Sequence, residues 1–277
     1  MGELQYLDGV ITLADINTDR PIIILTTDFG LHDYYVGIIK GIIAGLNSRA
    51  GLIDNTHDIP PYNIDSGRYT VRTSYRYYPR GSIHLAVVDP GVGTKRKALL
   101  IETRDYFFIG PDNGLFSFLE KTEIIRIISL KNRDYFLKEI STTFHARDIF
   151  APVAGYLSLG ISPDEFGPEI TDIKKIKSNK IRKTKSGLSG DILHIDHFGN
   201  IVTSYQLNNL PDSSCLIFLG QKKVGRLRKT YGSVKKGFPV AYINSFGYLE
   251  IAVNGGSAAE YFSIVPGSKE KILIATS

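Results

Sequence analysis

The sequence predicts an α/β N-terminal domain built on a largely parallel sheet, followed by a smaller all-β C-terminal barrel. Three observations carry that reading. Apolar runs of strand length alternate with helix-period segments through the first half, the pattern of βαβ units. The second half offers only short strand-like runs broken by Gly, Asn, Asp and Pro. Between them the composition shifts to a basic stretch, Lys174, Lys175, Lys177, Lys180, Arg182, Lys183 and Lys185, which reads as a solvated linker rather than a polyanion patch because no aromatic residues are interleaved.

Taken in order, residues 1–20 show no sustained period and read as an extension. Pro21 to Leu25 is a continuous apolar run, as expected of a strand buried on both faces. After Thr26-Thr27-Asp28-Phe29-Gly30, the residues Tyr35, Val36, Ile39, Ile42, Ile43 and Leu46 recur at helical spacing, so a helix is expected over 33–47. A strand near Leu52 and Ile53, a helix over 65–77 and a strand over 82–88 continue the alternation. Further strands are expected over 98–103, 106–109 and 123–128, then a helix over 148–159 closed by Gly160. Beyond the linker, strands are expected over 191–195, 215–219, 240–244 and 271–276. The resulting division is an extension 1–20, an α/β domain 21–172, a linker 173–189 and a barrel 190–277.

Composition narrows the classes of function. At 277 residues, 43% apolar and 22% charged, the chain can bury a sizeable core. The single cysteine, Cys215, can close no intramolecular disulfide, which points to a reducing compartment, the cytoplasm. No apolar run approaches the roughly 18 residues that span a bilayer, and the N-terminal residues lack a basic segment followed by an apolar one, so neither a membrane nor a secretion role is expected. A net charge of +5 is too small to imply nucleic acid as a partner.

In such sheets ligands gather beyond the carboxyl ends of the strands. Here those ends carry TTDFG at 26–30, DPGVGTKR at 89–96 and PDNG at 111–114, with TFHARD at 143–148 as a fourth polar segment. Asp89 follows the apolar run Leu85 to Val88, so its carboxylate projects at the sheet edge, either toward a ligand or to stabilise its own turn. His145, followed by Arg147 and Asp148 at the mouth of a helix, could face an anion there or serve as a hydrogen-bonded structural residue. No phosphate-binding glycine fingerprint is present, and the six histidines include no HxxxH or HExxH pair. Asp28, His32, Asp33, Asp54, His57 and Asp58 could in principle gather around a divalent ion, but they lack ligand spacing on one element, so no metal is expected.

Taken together, TTDFG, Thr56-His57-Asp58-Ile59-Pro60, VVDPGVGTKR, GPDNG, TFHARDIFAP, IDHFGN and NSFGYLEIAVN occur in one order across residues 21–260. This ordered set resembles the S-adenosyl-L-methionine hydrolase family, also called S-adenosyl-L-methionine hydroxide adenosyltransferases, whose relatives include the fluorinase and chlorinase. The resemblance implies an N-terminal α/β domain, a C-terminal β-barrel and a homotrimer with substrate between subunits. It implies displacement at ribose C5′ of S-adenosyl-L-methionine by water or hydroxide, giving adenosine and L-methionine, with neither cofactor nor metal.

By the same resemblance Asp89, Arg96 and His145 form the catalytic set around the attacking water, with Asp89 also touching substrate. Asp28 falls on the ribose hydroxyls, and Tyr62 where the halogenases carry an aromatic ring over the sugar. Asp196 falls on the methionine ammonium, Phe198 on the adenine face and Asn200 on its edge. Ser245, Tyr248 and Val253 fall at contacts with methionine or adenine, Val253 through its backbone.

The chemistry suits these residue types. A sulfonium loses its charge on departure, so no acid need protonate the leaving group. What must be supplied is a nucleophile: Arg96 offers a permanent charge, with Asp89 and His145 orienting the guanidinium and the water. Which of them accepts the proton is left open by the sequence. Ala146 replaces the glycine of the hydrolases' TFHGRD. The halogenases have tyrosine and a hydroxyl side chain where His145 and Ala146 stand, which argues against halide as nucleophile. Phe246 stands where they place an arginine for the methionine carboxylate. Three rivals remain from these residues: a halogenase of the same fold; an adenosine or S-adenosyl-L-methionine binding protein without turnover, which leaves Arg96 and His145 unexplained; and a metal-dependent hydrolase using the Asp and His residues of the N-terminal half, which activity in chelator would remove.

Overall fold

The computed structural model describes residues 20–176, 181–206, 208 and 215–275. The extension expected over 1–20 therefore lies, but for Arg20, outside the described residues. The chain divides after Ile176 into two compact units.

In the first unit the chain runs β1 (Ile22–Thr27), α1 (Tyr35–Leu46), β2 (Gly51–Thr56), α2 (Ile64–Ser74), β3 (Ile83–Val87), β4 (Ala98–Thr103), β5 (Phe107–Pro111), β6 (Ile124–Ser129), α3 (Ala151–Ser158) and β7 (Glu169–Ile170). The strands form one sheet in the order β2-β1-β3-β5-β4-β6-β7. Pairing is parallel from β2 through β1 and β3 to β5, and antiparallel at β5-β4, β4-β6 and β6-β7. The sheet is thus mixed, which corrects the expectation of a largely parallel one. The reason is local: only Arg104, Asp105 and Tyr106 separate β4 from β5, and a parallel neighbour needs a crossover of about a dozen residues or more.

Strand alternation builds two cores on this sheet. Ile23, Leu25, Ile83, Leu85, Val87, Leu100 and Ile109 face the layer of α1 and α3, whereas Ala86, Leu99, Ile101 and Phe108 meet Val71 and Tyr75 from α2 and the turn after it. Helix α1 buries Val36, Ile39 and Ile43, one stripe at the expected period. It packs on α3 at Gly155, where an added Cβ would come within 2.8 Å of Leu46 Cδ1. The helix expected over 148–159 is α3 preceded by a π-helical turn, Ala146–Phe150, with Gly160 beyond it at φ +91°.

One buried polar group in this core has a measurable consequence. His84 on β3 is 3% exposed, stacked on Phe108 at 5.1 Å and edged by Tyr75 and Tyr106, and its Nε2 has no hydrogen-bond partner among the described residues. Burial pushes its pKa down to about 3. Because the unfolded chain protonates near the ordinary value of about 6.5, this stabilising contribution is constant above that pH and declines below it until the folded pKa is reached. Between about pH 6.5 and pH 4 the decline should approach roughly 3 kcal/mol. Denaturant unfolding across that range should show a flatter acid limb in His84→Phe; equal slopes in both proteins would remove the assignment.

The second unit comprises β8 (Arg182–Thr184), β9 (Gly187–Ile195), β10 (Ile201–Gln206), β11 (Leu216–Leu219), β12 (Lys222–Arg226), β13 (Pro239–Ile243), β14 (Tyr248–Val253), a short helix α4 (Ala258–Phe262) and β15 (Lys271–Ala275). All named pairings are antiparallel, in the order β12-β11-β15-β9-β10-β14-β13, with β8 on β9. Leu227, just past β12, bridges Ala241 on β13, so the two ends of the path meet and the sheet nearly closes. Tyr205, Leu249, Ile251, Ile272 and Ile274 fill its interior. In the basic stretch 173–189, residues 177–180 lie outside the described residues, and Arg182–Thr184 forms a hairpin with β9. Among the described residues no helix is long and apolar enough to cross a membrane.

Candidate functional site

The parallel strands deliver their polar ends to one edge. Strand β3 is buried at all five positions and hands the chain through Val88 to Asp89, which the following turn leaves facing a cavity. The turn is closed by Val92 N donating to the Asp89 carbonyl and Thr94 N to the Gly91 carbonyl, both at 3.2 Å, which brings Arg96 back against Asp89. Gly93 sits at φ +76°, and a Cβ there would lie 2.2 Å from the Thr142 carbonyl oxygen, so only glycine lets this turn approach the segment bearing His145. The PDNG motif braces the same place: the buried Asn113 donates to the Val88 carbonyl at 2.7 Å, one residue before Asp89.

Arg96 grips Asp89 with Nε at 2.9 Å and Nη2 at 2.5 Å from Oδ2, and the same Nη2 lies 2.9 Å from His145 Nδ1. The guanidinium also stands over the Phe150 ring at 5.3 Å. A guanidinium has donors only, so Nδ1 of His145 is the acceptor and the ring is neutral. Burial depresses the His145 pKa, the Arg96 charge depresses it further, and the opposing pull of Asp89, Asp148 and the Ser141 carbonyl does not offset them. Asp148 is fully buried, held by Arg147 and by the Ser141 N–H at 2.8 Å; those bonds outweigh burial and keep its pKa low, and they fix the segment leading into the π-helical turn.

The cavity encloses about 390 Å³, lined by Asp28, Phe29, Tyr35, Pro61, Tyr62, Val87, Asp89, Val92, Thr143, Phe144, His145 and Ala146. No lysine or arginine is in that wall. Arg96 lies behind it, its side chain 9% exposed, and touches two groups that do line the cavity, Asp89 and His145. Asp28 has its pKa raised, first by burial and further by the Asp89 charge, against the lowering effect of the Tyr62 N–H. That N–H donates to Asp28 Oδ2 at 2.8 Å and holds Tyr62 at φ +65°, a left-handed conformation that costs a non-glycine residue about 1 kcal/mol.

Five of the residues predicted from sequence, Asp28, Tyr62, Asp89, Arg96 and His145, are thereby gathered in and behind one cavity wall. Apart from Tyr62, the aromatic part of that wall was not foreseen. Phe29, Tyr35 and Phe144 pack on one another with centroids 5.2 to 6.0 Å apart. Phe29 and Phe144 sit inside the motifs TTDFG and TFHARD, beside residues that were singled out. Tyr35 looks like a core position of the helical stripe but is 36% exposed at the first turn of α1.

The other six lie in the second unit: Asp196, Phe198 and Asn200 on the turn between β9 and β10, Ser245 on the loop between β13 and β14, and Tyr248 and Val253 at the two ends of β14. Asp196 Oδ1 accepts from the Phe198 and Asn200 N–H groups at 2.9 and 2.8 Å, and Asn200 Nδ2 donates to Oδ2 at 2.9 Å, so Asp196 and Asn200 hold each other and the turn. Phe198 is 74% exposed. Ser245 and Phe246 are exposed on the loop Asn244–Gly247, which the Asn244 side chain caps by accepting from the Phe246 and Tyr248 N–H groups, each at 3.0 Å. Tyr248 and Val253 are buried, and the Val253 carbonyl accepts from Gly256 N at 3.2 Å. A side-chain chain ties the loops together: Asn200 to Tyr231, Tyr231 to Tyr242, Tyr242 to the buried Glu250, and Asn244 to Glu250 at 2.8 Å. The described residues contain no group of three or more His, Cys, Asp or Glu placed to hold a metal ion.

A mixed α/β unit with paired carboxylates at its strand ends, followed by a nearly closed antiparallel unit, defines a two-unit enzyme of α/β-plus-β type. Residues 23–167 match the SAM hydroxide adenosyltransferase N-terminal domain and residues 190–271 its C-terminal domain. The chain belongs to the SAM hydroxide adenosyltransferase family. It is 35% identical to the (R)-S-adenosyl-L-methionine hydrolase of Salinispora tropica over 91% of this chain and 97% of that protein. To the hydrolase of the same name from Thermus thermophilus it is 35% identical over 92% of this chain and all of the other. A fluorinase from Actinopolyspora mzabensis is more distant, at 24% identity over 91% of this chain and 97% of its own length. A crystal structure of a conserved protein from Thermotoga maritima superposes with a TM-score of 0.81 at 33% identity, covering 92% of this chain and 100% of that one.

Proposed function

We propose that this protein hydrolyses S-adenosyl-L-methionine to adenosine and L-methionine by attack of water at ribose C5′. The observation that carries the reading is the cavity wall itself: two carboxylates, Asp28 and Asp89, with aromatic faces and neither lysine nor arginine, in a space of about 390 Å³. The Asp89 charge raises the pKa of the half-buried Asp28, so a cation in the cavity, such as a sulfonium, would be stabilised by both carboxylates, only one of which is already paired with Arg96. The volume lies within the range of roughly 300 to 1,000 Å³ usual for small-molecule sites.

Asp89 is the group suited to take the proton. Nδ1 of His145 is committed to Arg96 and the ring is kept neutral, whereas the Asp89 carboxylate keeps lone pairs on the cavity side of its contact with Arg96. Water gives its proton to Asp89 as its oxygen bonds to C5′, and the C5′–S bond breaks with its electron pair left on sulfur. The departing methionine is a neutral thioether, the water oxygen becomes the 5′ hydroxyl, and the proton passes from Asp89 to solvent. Asp28 and Tyr62 hold the ribose. Asp196, Phe198, Asn200, Ser245, Tyr248 and Val253 complete recognition of methionine and adenine. The family likeness supports a homotrimer, and the lone Cys215 a cytoplasmic setting. No nucleic acid is involved.

Purified protein incubated with S-adenosyl-L-methionine and a chelator in isotopically labelled water should give adenosine labelled at the 5′ oxygen. Unlabelled adenosine, or dependence on a metal, would overturn the proposal. Formation of a 5′-halogenated adenosine when chloride or fluoride is supplied would favour the reading as a halogenase.

A further inference from the structure

We propose that His57 is a positioning residue: buried between the ends of β1 and β2, it clamps the loop carrying Asp28 to the loop carrying Tyr62 and so sets one wall of the cavity. The inference rests on the cavity being the substrate site.

The clamp is a directed chain of hydrogen bonds. Lys40 Nζ on α1 lies 2.6 Å from Asp54 Oδ2; Asp54 Oδ1 lies 2.9 Å from His57 Nε2; His57 Nδ1 lies 2.7 Å from Thr27 Oγ1; and Thr27 Oγ1 accepts from the Phe29 N–H at 3.3 Å. An ionised carboxylate only accepts, so Nε2 of His57 carries the proton. In the neutral ring Nδ1 then accepts from the Thr27 hydroxyl, whose oxygen is left to receive the Phe29 N–H. Every donor in the chain has an acceptor.

A strand does not ordinarily place residues three apart on one face. Here the pairing of β1 with β2 shifts register between Leu25 and Thr26: Leu25 pairs with Asp54 but Thr26 with Thr56. The extra residue, Asn55, reverses the alternation and brings Asp54 and His57 to the same side. Asn55 is itself tied down, donating to Thr26 Oγ1 at 3.2 Å and to Ser74 Oγ at 3.1 Å and accepting from the Tyr78 hydroxyl at 3.1 Å.

The order Thr-His-Asp resembles a nucleophile relay, but Thr27 is 1% exposed and does not line the cavity, so no substrate atom reaches its hydroxyl. What the chain does reach is backbone. Thr27 precedes Asp28 directly, the Gly30 N–H donates to the His57 carbonyl at 2.8 Å and the Ile59 N–H to the Thr27 carbonyl at 3.4 Å, and these lead to the Tyr62 N–H on Asp28. The inner end of this chain, Thr27 and His57, is buried while Lys40 and Asp54 reach the surface, so it adds little net stability; what it fixes is one geometry.

Thr27→Val, which keeps the shape and deletes the hydroxyl, and His57→Gln, which cannot hold both partners, are the test variants, with Thr27→Ser as the rescue. In Thr27→Val and His57→Gln, hydrogen exchange at the Gly30, Ile59 and Tyr62 amides should quicken at least about tenfold, the equivalent of one hydrogen bond, with β4 and α3 amides unmoved. In the same variants KM for S-adenosyl-L-methionine should rise by about tenfold with kcat within about threefold, and Thr27→Ser should restore both readouts. Unchanged exchange in a folded Thr27→Val overturns the clamp whatever the substrate is. Faster exchange with KM unmoved, or a rise in kcat effects without KM, overturns its link to the cavity. Should the unaltered protein leave S-adenosyl-L-methionine intact, the functional reading fails, and the exchange measurement still decides the clamp.

Discussion

Arg96→Ala is expected to lower kcat by about a hundredfold to a thousandfold while KM for S-adenosyl-L-methionine stays within about threefold. The guanidinium lies behind the cavity and touches the two groups in front of it, Asp89 through Nε and Nη2 and His145 through Nη2. Without it, the Asp89 carboxylate is free to rotate and His145 Nδ1 loses its donor, so the proton acceptor is no longer held in line with the attacking oxygen. Binding is carried by other residues, Asp28 and Tyr62 among them, which is why the loss should fall on the rate. Arg96→Lys should recover only part of it, because an ammonium can supply the charge but not the two-pronged grip together with the bond to His145. Removing one partner of a buried pair also typically destabilises by about 3 kcal/mol or more, so a melting curve should accompany the kinetics. A KM that rises as much as kcat falls would make Arg96 a binding residue.

How far these features could be read from residues alone depends on how local their causes are. Helix α1, α2 and strands β1, β3 and β4 follow from periodicity, since each meets its core along a regular stripe or an apolar run. The mixed sheet was missed because alternation of strands and helices was extended past β3, although only Arg104, Asp105 and Tyr106 separate β4 from β5 and such a connection can close only a hairpin. Strand β14 lies inside the motif NSFGYLEIAVN and was read for that motif rather than as a strand, and β10, which begins directly after IDHFGN, was not anticipated as a strand. That Asp89 and Arg96 belong to one set was legible only through the family resemblance, since the turn between them permits their pairing without selecting it. The position of the guanidinium behind the wall was not, because it depends on Phe150 and His145, some fifty residues on, and on the closeness of Gly93 to Thr142. His57 entered as a possible metal ligand and as part of a family motif, with no positioning role; its contact with Thr27 and Asp54 requires a register shift that no sequence period reveals.

His145 gives the second large effect and a pH signature with a fixed sign. Its ring must be neutral to accept from Arg96, and burial together with the Arg96 charge holds its pKa below the ordinary value. Rate should therefore be insensitive to this group at neutral pH and fall only as pH drops through the depressed pKa, that is, below about 6.5. Protonation there would set an imidazolium against the guanidinium and break the Nη2 to Nδ1 bond. His145→Ala should cost about tenfold to a hundredfold in kcat, the range for deleting a hydrogen bond to a charged group. In His145→Asn the amide oxygen can stand in for Nδ1 as acceptor without titrating, so this variant should retain more activity than His145→Ala and lose the histidine part of the acid limb. Any limb that survives in it belongs to the carboxylates, Asp28 first, since burial and Asp89 raise its pKa. Profiles of kcat/KM from about pH 5 to about pH 8 for the three proteins distinguish these outcomes. Activity that grew as pH fell through about 6.5 would mean that the imidazolium is the working form, and the proton would then have to be taken by a group other than the one Arg96 holds in place.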